Sequence, residues 1–384
     1  MHSVSLHSGS AGVSVGTSRL RPMDRLEIAR RRLRGQYLSD PTLTDPAAVV
    51  AHFGAVQAQE YAISKWSLGQ RTVGVDDTAV QRAVDDGAIL RTHALRPTWH
   101  YVAAADIRWI QAVTGPRVDR FNAYYNRSHG IDEDFGAKTT RVITEALRGG
   151  NHLTRKELGE VLGRSGLPAS GNQLAYVVMW AELRALIANG AMRDKQHTYA
   201  LVEERAPDAV ELDPDDALAE LTRRYFTSHG PATVKDFAWW SSLTVATIKR
   251  GIALLGDELT SEVVEGRTYW FPPGPASAPE PAGTVHLLQP YDEFIVAYTE
   301  SRDVANIAGR VFDIENENTL VQAIVLDSQV VGVWRRLAAR TGVVAEVRPA
   351  VKVTRAQGAA IEAAFARYAA FSGVPLTIDW GRAD

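Results

Sequence analysis

The sequence predicts an α+β protein in which three tandem winged-helix units precede a C-terminal β-barrel-like domain. Helices followed by a β-ribbon occur three times in succession, a proline-rich stretch follows at residues 272–284, and the remaining chain alternates apolar and polar residues with period two. These features divide the chain into a disordered leader (1–22), a first winged-helix unit (23–130), a second (131–207), a third (208–274) and the β-barrel-like domain (275–384).

Capping residues set the helix boundaries of the first unit. Asp45 and Gly54 bracket its second helix, Asp76 or Asp77 begins its fourth, and Gly87 ends it. We expect helices over about 23–37, 45–54, 60–70 and 76–87, followed by the strand-like stretch 89–102.

The second and third units repeat this order. In the second, Thr154 and Glu157 form a capping box at the start of a helix. Expected elements are helices at 134–149, 153–166 and 170–189 with a hairpin near Asp194–Gln196, then helices at 214–228, 230–242 and 243–256 with a hairpin near Glu265–Gly266.

The C-terminal domain is expected to be rich in β-strands. Period-two patterning marks 286–298, 308–316, 319–338 and 342–354, with a hairpin turn at Asp327–Ser328–Gln329. An amphipathic helix at 355–373 and a strand at 374–380 close the chain.

Composition bounds the class of protein. Hydrophobic residues make up 45% and charged residues 23% of the 384 positions, as in soluble globular proteins. The chain has no cysteine, which excludes disulfides and a cysteine nucleophile and fits a reducing compartment. Residues 1–18 lack the basic start and apolar run of a signal peptide, and no window predicts a membrane span. We therefore expect a cytoplasmic protein without a membrane partner.

A basic stretch stands out against the net charge of −3. Residues 19–34 contain seven arginines against Asp24 and Glu27, which predicts a basic helix able to follow DNA phosphates. The alternative is a solvated helix face without a ligand.

Gln57 and Gln59 interrupt an otherwise apolar run and are the candidate catalytic residues. On a strand or extended loop, side chains two positions apart point the same way. Each amide can donate and accept hydrogen bonds, but neither can act as a strong base or nucleophile. Such a pair could hold a water and present oxygen atoms to a developing positive charge. The alternative is a pair of ordinary surface residues.

Other candidate motifs favour structural interpretations. The ten histidines are scattered, and no phosphate-binding or dinucleotide-binding motif is present, so neither a metal nor a cofactor is expected. Trp239–Trp240 is interpreted as core packing and Asp292–Glu293 as structural, because adjacent strand residues face opposite ways. Arg335–Arg336 ends a hairpin, where a basic tip could reach phosphates.

Five segments in order carry a resemblance to a known family. They read GAVQAQEYAISKWSLGQR, RTHALRPTWHYVAAAD, VKDFAWWSSLT, LLQPYDEFIVAYTESRD and VVGVWRRL. Over about residues 24–380 the chain resembles the AlkZ/YcaQ family of bacterial DNA glycosylases. The resemblance implies three winged-helix motifs on a β-barrel, enclosing a basic DNA channel. The family's Gln-x-Gln motif, typical of the AlkZ branch, matches Gln57-Ala58-Gln59, whereas the YcaQ branch has Asp at the second position.

The resemblance further implies an enzyme that excises alkylated purines, including bulky adducts and interstrand crosslinks, from double-stranded DNA. It also implies a monomer, associated with the nucleoid, that serves base excision repair or self-resistance to a genotoxin. Gln57 and Gln59 would place a water and stabilise an oxocarbenium-like sugar. Because only Lys65 lies near the motif, we expect a monofunctional glycosylase. The expected DNA contacts are basic side chains: Arg30, Arg31, Arg34, Arg91, Arg96, His100, Arg335 and Arg336.

Two alternatives remain at this point. His100, with Thr98, could instead hold the loop of Gln57 in place. The whole chain could also be a winged-helix transcriptional regulator, since helix-turn-helix units are repeated. An acidic chain and a Gln-x-Gln motif inside an apolar run are not what sequence-specific readout requires, and they favour the enzyme.

Overall fold

A computed structural model describes residues 23–274, 281–309 and 322–381. Its first segment (23–130) contains five α-helices and a three-stranded antiparallel sheet of order β1-β3-β2. Its elements are α1 (Arg25–Gly35), α2 (Pro46–Phe53), β1 (Val56–Gln57), α3 (Tyr61–Gly69), α4 (Asp77–Asp85), β2 (Ile89–His93), β3 (Trp99–Ala103) and α5 (Ile107–Ser128). The predicted caps are confirmed, because Asp45 and Asp76 accept backbone hydrogen bonds at the starts of α2 and α4.

The second segment (131–207) contains α6 (Glu133–Leu147), β4 (Leu153–Thr154), α7 (Arg155–Arg164), α8 (Gly171–Glu182), β5 (Ile187–Asn189), β6 (Thr198–Leu201) and α9 (Val202–Arg205). The capping box of Thr154 and Glu157 is confirmed. The prediction of a single helix over 170–189 is wrong. The chain leaves the helix after Glu182, passes Ala185 at a positive φ of 51°, and then pairs as β5 with β6.

The third segment (208–274) contains α10 (Pro214–His229), α11 (Val234–Ser241), α12 (Val245–Leu255), β7 (Thr260–Val264) and β8 (Arg267–Phe271). Three helices and an antiparallel hairpin agree with the predicted order. Thr233 and Asp236 form a second capping box at the start of α11.

The C-terminal segment contains β9 (Val285–Leu287), α13 (Glu293–Val296), β10 (Gln322–Leu326), β11 (Gln329–Ala339), β12 (Gly342–Pro349), α14 (Arg355–Ser372) and β13 (Leu376–Trp380). Its sheet, of order β13-β12-β11-β10-β9, curls into a half-barrel and mixes parallel with antiparallel pairing. The strand expected over 286–298 is wrong beyond Leu287, because Asp292 caps the helical turn α13. Most of the strand predicted at 308–316 lies outside the described residues.

Helix α5 is the longest described element and was not predicted. Pro116 lies inside it, and proline usually argues against a helix interior. A side chain at Gly115 would lie 2.4 Å from the Leu183 carbonyl oxygen, so α5 approaches the end of α8 closely.

Two hydrophobic cores meet at β1. One core joins the first segment to α10 and α11 through residues such as Ala55, Phe237 and Trp240. The other joins Val56 to the C-terminal sheet and α14 through residues such as Trp334. Gln57 therefore follows Ala55 and Val56, which are buried in different cores. Among the described residues, no helix is long and apolar enough to cross a membrane.

Candidate active site

Gln57 is fixed at both its backbone and its side chain. Its register partner on β3 is His100, so the two side chains share one face of the sheet. Its side-chain Oε1 accepts a hydrogen bond of 2.5 Å from Arg96 Nη2. Its backbone N–H donates to Glu293 Oε1 at 2.7 Å. Only 2% of Gln57 is exposed, so its orientation is set by these partners.

Arg96 lies in the turn between β2 and β3 and is buried rather than exposed to a ligand. Besides Gln57, it donates from Nη1 to the Trp240 carbonyl oxygen at 3.0 Å. Burial lowers the pKa of Arg96, and the nearby Glu293 carboxylate opposes that shift. This environment does not fit the expected phosphate contact, because both terminal nitrogens of the Arg96 guanidinium are already bound to protein oxygens.

Glu293 is the buried carboxylate beside Gln57. Its Oε2 accepts from Trp240 Nε1 at 2.9 Å and lies 3.3 Å from His229 Nε2. Because a carboxylate accepts, His229 carries its proton on Nε2. Burial lowers the pKa of His229, and the hydrogen bond to Glu293 opposes the shift. Through Glu293, residues of α10 and α11 are therefore connected to the backbone of β1.

His100 is a neutral, buried residue. Its Nδ1 is 2.9 Å from the Thr98 carbonyl oxygen, so Nδ1 carries the proton. Its Nε2 is buried and has no hydrogen-bond partner among the described residues. Burial, and then the charge of Arg96, hold the pKa of His100 well below its usual value. The expected phosphate contact does not fit this environment, whereas the alternative, a residue that supports the Gln57 loop, does.

Gln59 lies beyond the end of β1 and is exposed, unlike Gln57. Its Oε1 accepts from the Trp99 backbone N–H at 3.1 Å. Arg91 supports the same loop, donating to the carbonyl oxygens of Ala58 at 3.0 Å and Gln59 at 3.4 Å. Gln59, Arg91 and Trp99 line a groove between the first and second segments. The strand alternation did not predict these different environments, because β1 ends at Gln57.

The remaining basic candidates lie on other elements. On α1, Arg34 is exposed and Arg30 is half-buried, whereas Arg31 pairs with Glu27 at 2.8 Å. Arg335 and Arg336 are exposed on β11. One side of α1 is structural, because Arg32 is buried and donates to the Pro231 carbonyl oxygen.

In each of the adjacent pairs Asp292–Glu293 and Trp239–Trp240, the two side chains lie in different environments. Asp292 forms a buried ion pair with Arg71 at 2.7 Å. Burial alone would raise the pKa of Asp292, but the attraction of Arg71 and its hydrogen bonds outweigh burial and lower it. Trp240 is fully buried, as predicted for a core residue, whereas Trp239 is 44% exposed.

The contact between Glu293 and Gln57 was not predicted from the sequence. The available signal was an acidic residue inside the apolar stretch EFIVAY, although its partner is 236 positions away. Lys65 Nζ, the nearest lysine to the motif in sequence, is held by Asp77 at 2.6 Å and by Gln81 at 3.2 Å. Within the described part of the chain, no group of three or more metal-ligating side chains is present.

Comparisons with known proteins identify a family and a similar fold. Residues 50–371 match a family model described as DNA glycosylase AlkZ-like. The chain is 24% identical over 323 residues to an interstrand DNA cross-link repair glycosylase of Streptomyces sahachiroi, covering 79% of this chain and 85% of that protein. The solved structure of Streptomyces sahachiroi DNA glycosylase AlkZ superposes with a TM-score of 0.76 at 22% identity, covering 94% of this chain and all of the other.

Proposed function

Because the chain belongs to the AlkZ-like family of DNA glycosylases, we propose that it hydrolyses the N-glycosidic bond of alkylated purines in duplex DNA and leaves abasic sites. The substrates would include N7-alkylguanine and bulky adducts. Interstrand crosslinks are included because the Streptomyces relative is named for their repair. The observation that carries the proposal is the rigid placement of Gln57 between Arg96 and Glu293, with Gln59 exposed in the adjoining groove.

The chemistry requires orientation more than basicity. Alkylation at N7 gives guanine a positive charge and makes it a good leaving group, so the sugar acquires oxocarbenium character as the bond breaks. Amide oxygens that hold a water and face this charge act by position and electrostatics. Gln57 Oε1 already accepts from Arg96, but an amide oxygen has a second lone pair for a water. The exposed amide of Gln59 would meet the nucleotide.

DNA binding would be nonspecific and depend on phosphates, because a repair enzyme must act in any sequence. We assign Arg91 and the surface arginines Arg30, Arg34, Arg335 and Arg336 to this role, with Arg31 contributing from its pair with Glu27. The first three segments, each with at least three helices before an antiparallel hairpin, would be winged-helix units with the boundaries given above. Arg96 and His100 would act by holding Gln57. We expect a monomer.

The environment of Lys65 supports a monofunctional mechanism as part of the proposal. A Schiff base needs a free amine, and the Lys65 ammonium is bound by Asp77 and Gln81. Borohydride treatment during turnover should therefore trap no covalent DNA adduct. A trapped adduct would contradict this part of the proposal.

The first test is single-turnover cleavage of a duplex with one N7-methylguanine, followed by alkali to reveal abasic sites. The wild type is compared with Gln57→Ala and Gln59→Ala, with circular dichroism as the control for folding. Both variants should lose excision by orders of magnitude while DNA affinity is retained. Equal excision by a double variant would refute the assignment.

A crosslinked duplex serves as the second substrate in the same assay. If the wild type cleaves neither substrate but protects one preferred DNA sequence in a footprint, the chain is a DNA-binding regulator instead.

A further inference from the structure

A groove of about 570 Å³ separates the first and second segments beside Gln59. One wall carries Gln59, Arg91 and Trp99, and the other carries Arg155, Lys156 and His197. None of the described residues that line it is Asp or Glu. A concave site of this size with cations on both walls concentrates negative charge.

The first wall presents a fixed guanidinium. Arg91 is only 6% exposed and is held by the Ala58 and Gln59 carbonyl oxygens. Its guanidinium carbon also lies 4.3 Å from the centre of the Trp99 ring. Its backbone N–H donates to Asn189 Oδ1 at 2.5 Å, which ties the two walls together. The position of this charge is therefore coupled to the loop that carries Gln59.

The second wall presents two exposed cations from the first turn of α7. Arg155 and Lys156 are both exposed. Lys156 has a weak restraint, because Glu160 lies 3.9 Å away and both groups are solvated. The helix terminus itself is not the ligand site, since the Thr154 backbone N–H is already bound by Glu157 at 2.7 Å. The side chains supply the charge.

The aromatic rings of the groove are already packed against protein groups. Trp99 packs against Arg91 and against His93, whose ring centre is 3.9 Å away, and the Tyr61 ring lies 4.6 Å from the His197 ring. Burial, and then Arg91, lower the pKa of His197 to about 4, so this ring is neutral near pH 7. A cationic alkylated base would find positive charge and little free ring surface here, whereas a phosphate would find complementary charge.

We propose that this groove binds one backbone phosphate of the lesion-bearing strand, clamped between Arg91 and the Arg155–Lys156 pair, so that the adjoining sugar faces Gln59. The inference rests on the proposed glycosylase function. It adds that α7 of the second segment determines which nucleotide of the bound strand lies beside the Gln-x-Gln loop. The ligand is a phosphodiester recognised by charge, with no reading of base identity.

The test replaces single phosphates of one strand by neutral methylphosphonates. Each duplex carries a stable tetrahydrofuran abasic-site analogue, so that binding is measured without turnover. Fluorescence anisotropy would compare the wild type with an Arg155→Gln, Lys156→Gln variant. In the wild type, one substitution next to the analogue should weaken binding about tenfold. The double variant should bind native DNA about tenfold more weakly and be insensitive to that substitution.

Arg164→Gln is the matched control, because it removes an exposed positive charge from the other end of α7. It should leave the position-dependent effect intact. An equal loss in this control, no sensitive position in the wild type, or no binding at all would overturn the clamp. Excision of N7-methylguanine is measured separately. Excision without a sensitive phosphate refutes the clamp alone, whereas a sensitive phosphate without excision refutes only the glycosylase assignment.

Discussion

The backbone N–H of Gln57 donates a 2.7 Å hydrogen bond to Glu293, a residue 236 positions further along the chain. Glu293 belongs to α13 of the C-terminal segment, and its second oxygen accepts from Trp240 of α11. One carboxylate therefore joins β1 to two other parts of the fold. Because the group is fully buried, the position of Gln57 depends on all three parts.

Removing the Glu293 carboxylate should slow excision more than it weakens DNA binding. Glu293→Ala leaves the Gln57 N–H and Trp240 Nε1 without their acceptor, and each buried unsatisfied group costs about 1–3 kcal/mol. Glu293→Gln retains one acceptor oxygen and should restore part of the rate. The measurements are the single-turnover rate at saturating DNA and the dissociation constant.

Glu182→Gln is the control for burial. Glu182 is a buried carboxylate that contacts His93 Nδ1 instead of Gln57. This variant should change thermal stability while the excision rate stays near that of the wild type. A wild-type rate in Glu293→Ala would show that Glu293 has no positioning role.

Arg96 and Arg335 should respond differently to substitution. Arg96→Lys disturbs a buried contact with Gln57, so the excision rate should fall while the salt dependence of DNA binding stays constant. Arg335→Gln removes an exposed charge, so the affinity for DNA should fall. The plot of log K against log salt should become less steep, its negative slope decreasing in magnitude by about 1. Anisotropy titrations at several salt concentrations separate these outcomes. A less steep salt dependence in Arg96→Lys would instead indicate that Arg96 contacts a DNA phosphate.

The elements that the sequence predicted well have local signals. Asp45 with Gly54, and Thr154 with Glu157, lie within ten residues of each other and define helix ends through their own hydrogen bonds. Helix α5 lacks such a signal, because no side chain caps its start and Pro116 lies inside it. Tertiary packing, not local pattern, decides its existence.

Of the candidate site, the sequence predicted the two glutamines and, as an alternative, His100 as a residue that holds their loop. The Gln-x-Gln pattern and the surrounding resemblance single out Gln57 and Gln59, but nothing local relates them to Glu293. The charge on Arg96 suggested a phosphate contact because a sequence does not display burial. In the structure Arg96 lies in a turn, donates to the Trp240 carbonyl oxygen and donates to Gln57, which favours the proposal that it supports Gln57.

The Arg71–Asp292 ion pair should be a main determinant of stability. Both side chains are buried, and Asp292 also accepts from Ser67 Oγ at 2.9 Å, which links α3 to the start of α13. Arg71→Met leaves a buried carboxylate without its partner, and such a loss costs about 3–5 kcal/mol. Urea denaturation measures this difference. An Arg71→Met, Asp292→Leu double variant should recover much of the loss, and a neutral effect of Arg71→Met alone would contradict the prediction.

Acid should destabilise the fold through His100. Its folded-state pKa lies well below 6.5, whereas in the unfolded chain it is near 6.5, so the unfolded state binds more protons between these values. Its full contribution is therefore present above about pH 6.5 and is lost as the pH falls towards the folded-state pKa. The charge of Arg96 beside the ring acts in the same direction as burial.

Urea denaturation from pH 7.5 to 5 measures how the free energy of unfolding changes with pH. His100→Gln should reduce this slope without abolishing it, because the pKa of His229 is also lowered by burial. Identical slopes in the two proteins would mean that His100 takes up its proton in the folded state, which a ring packed beside Arg96 and Gln57 should not do.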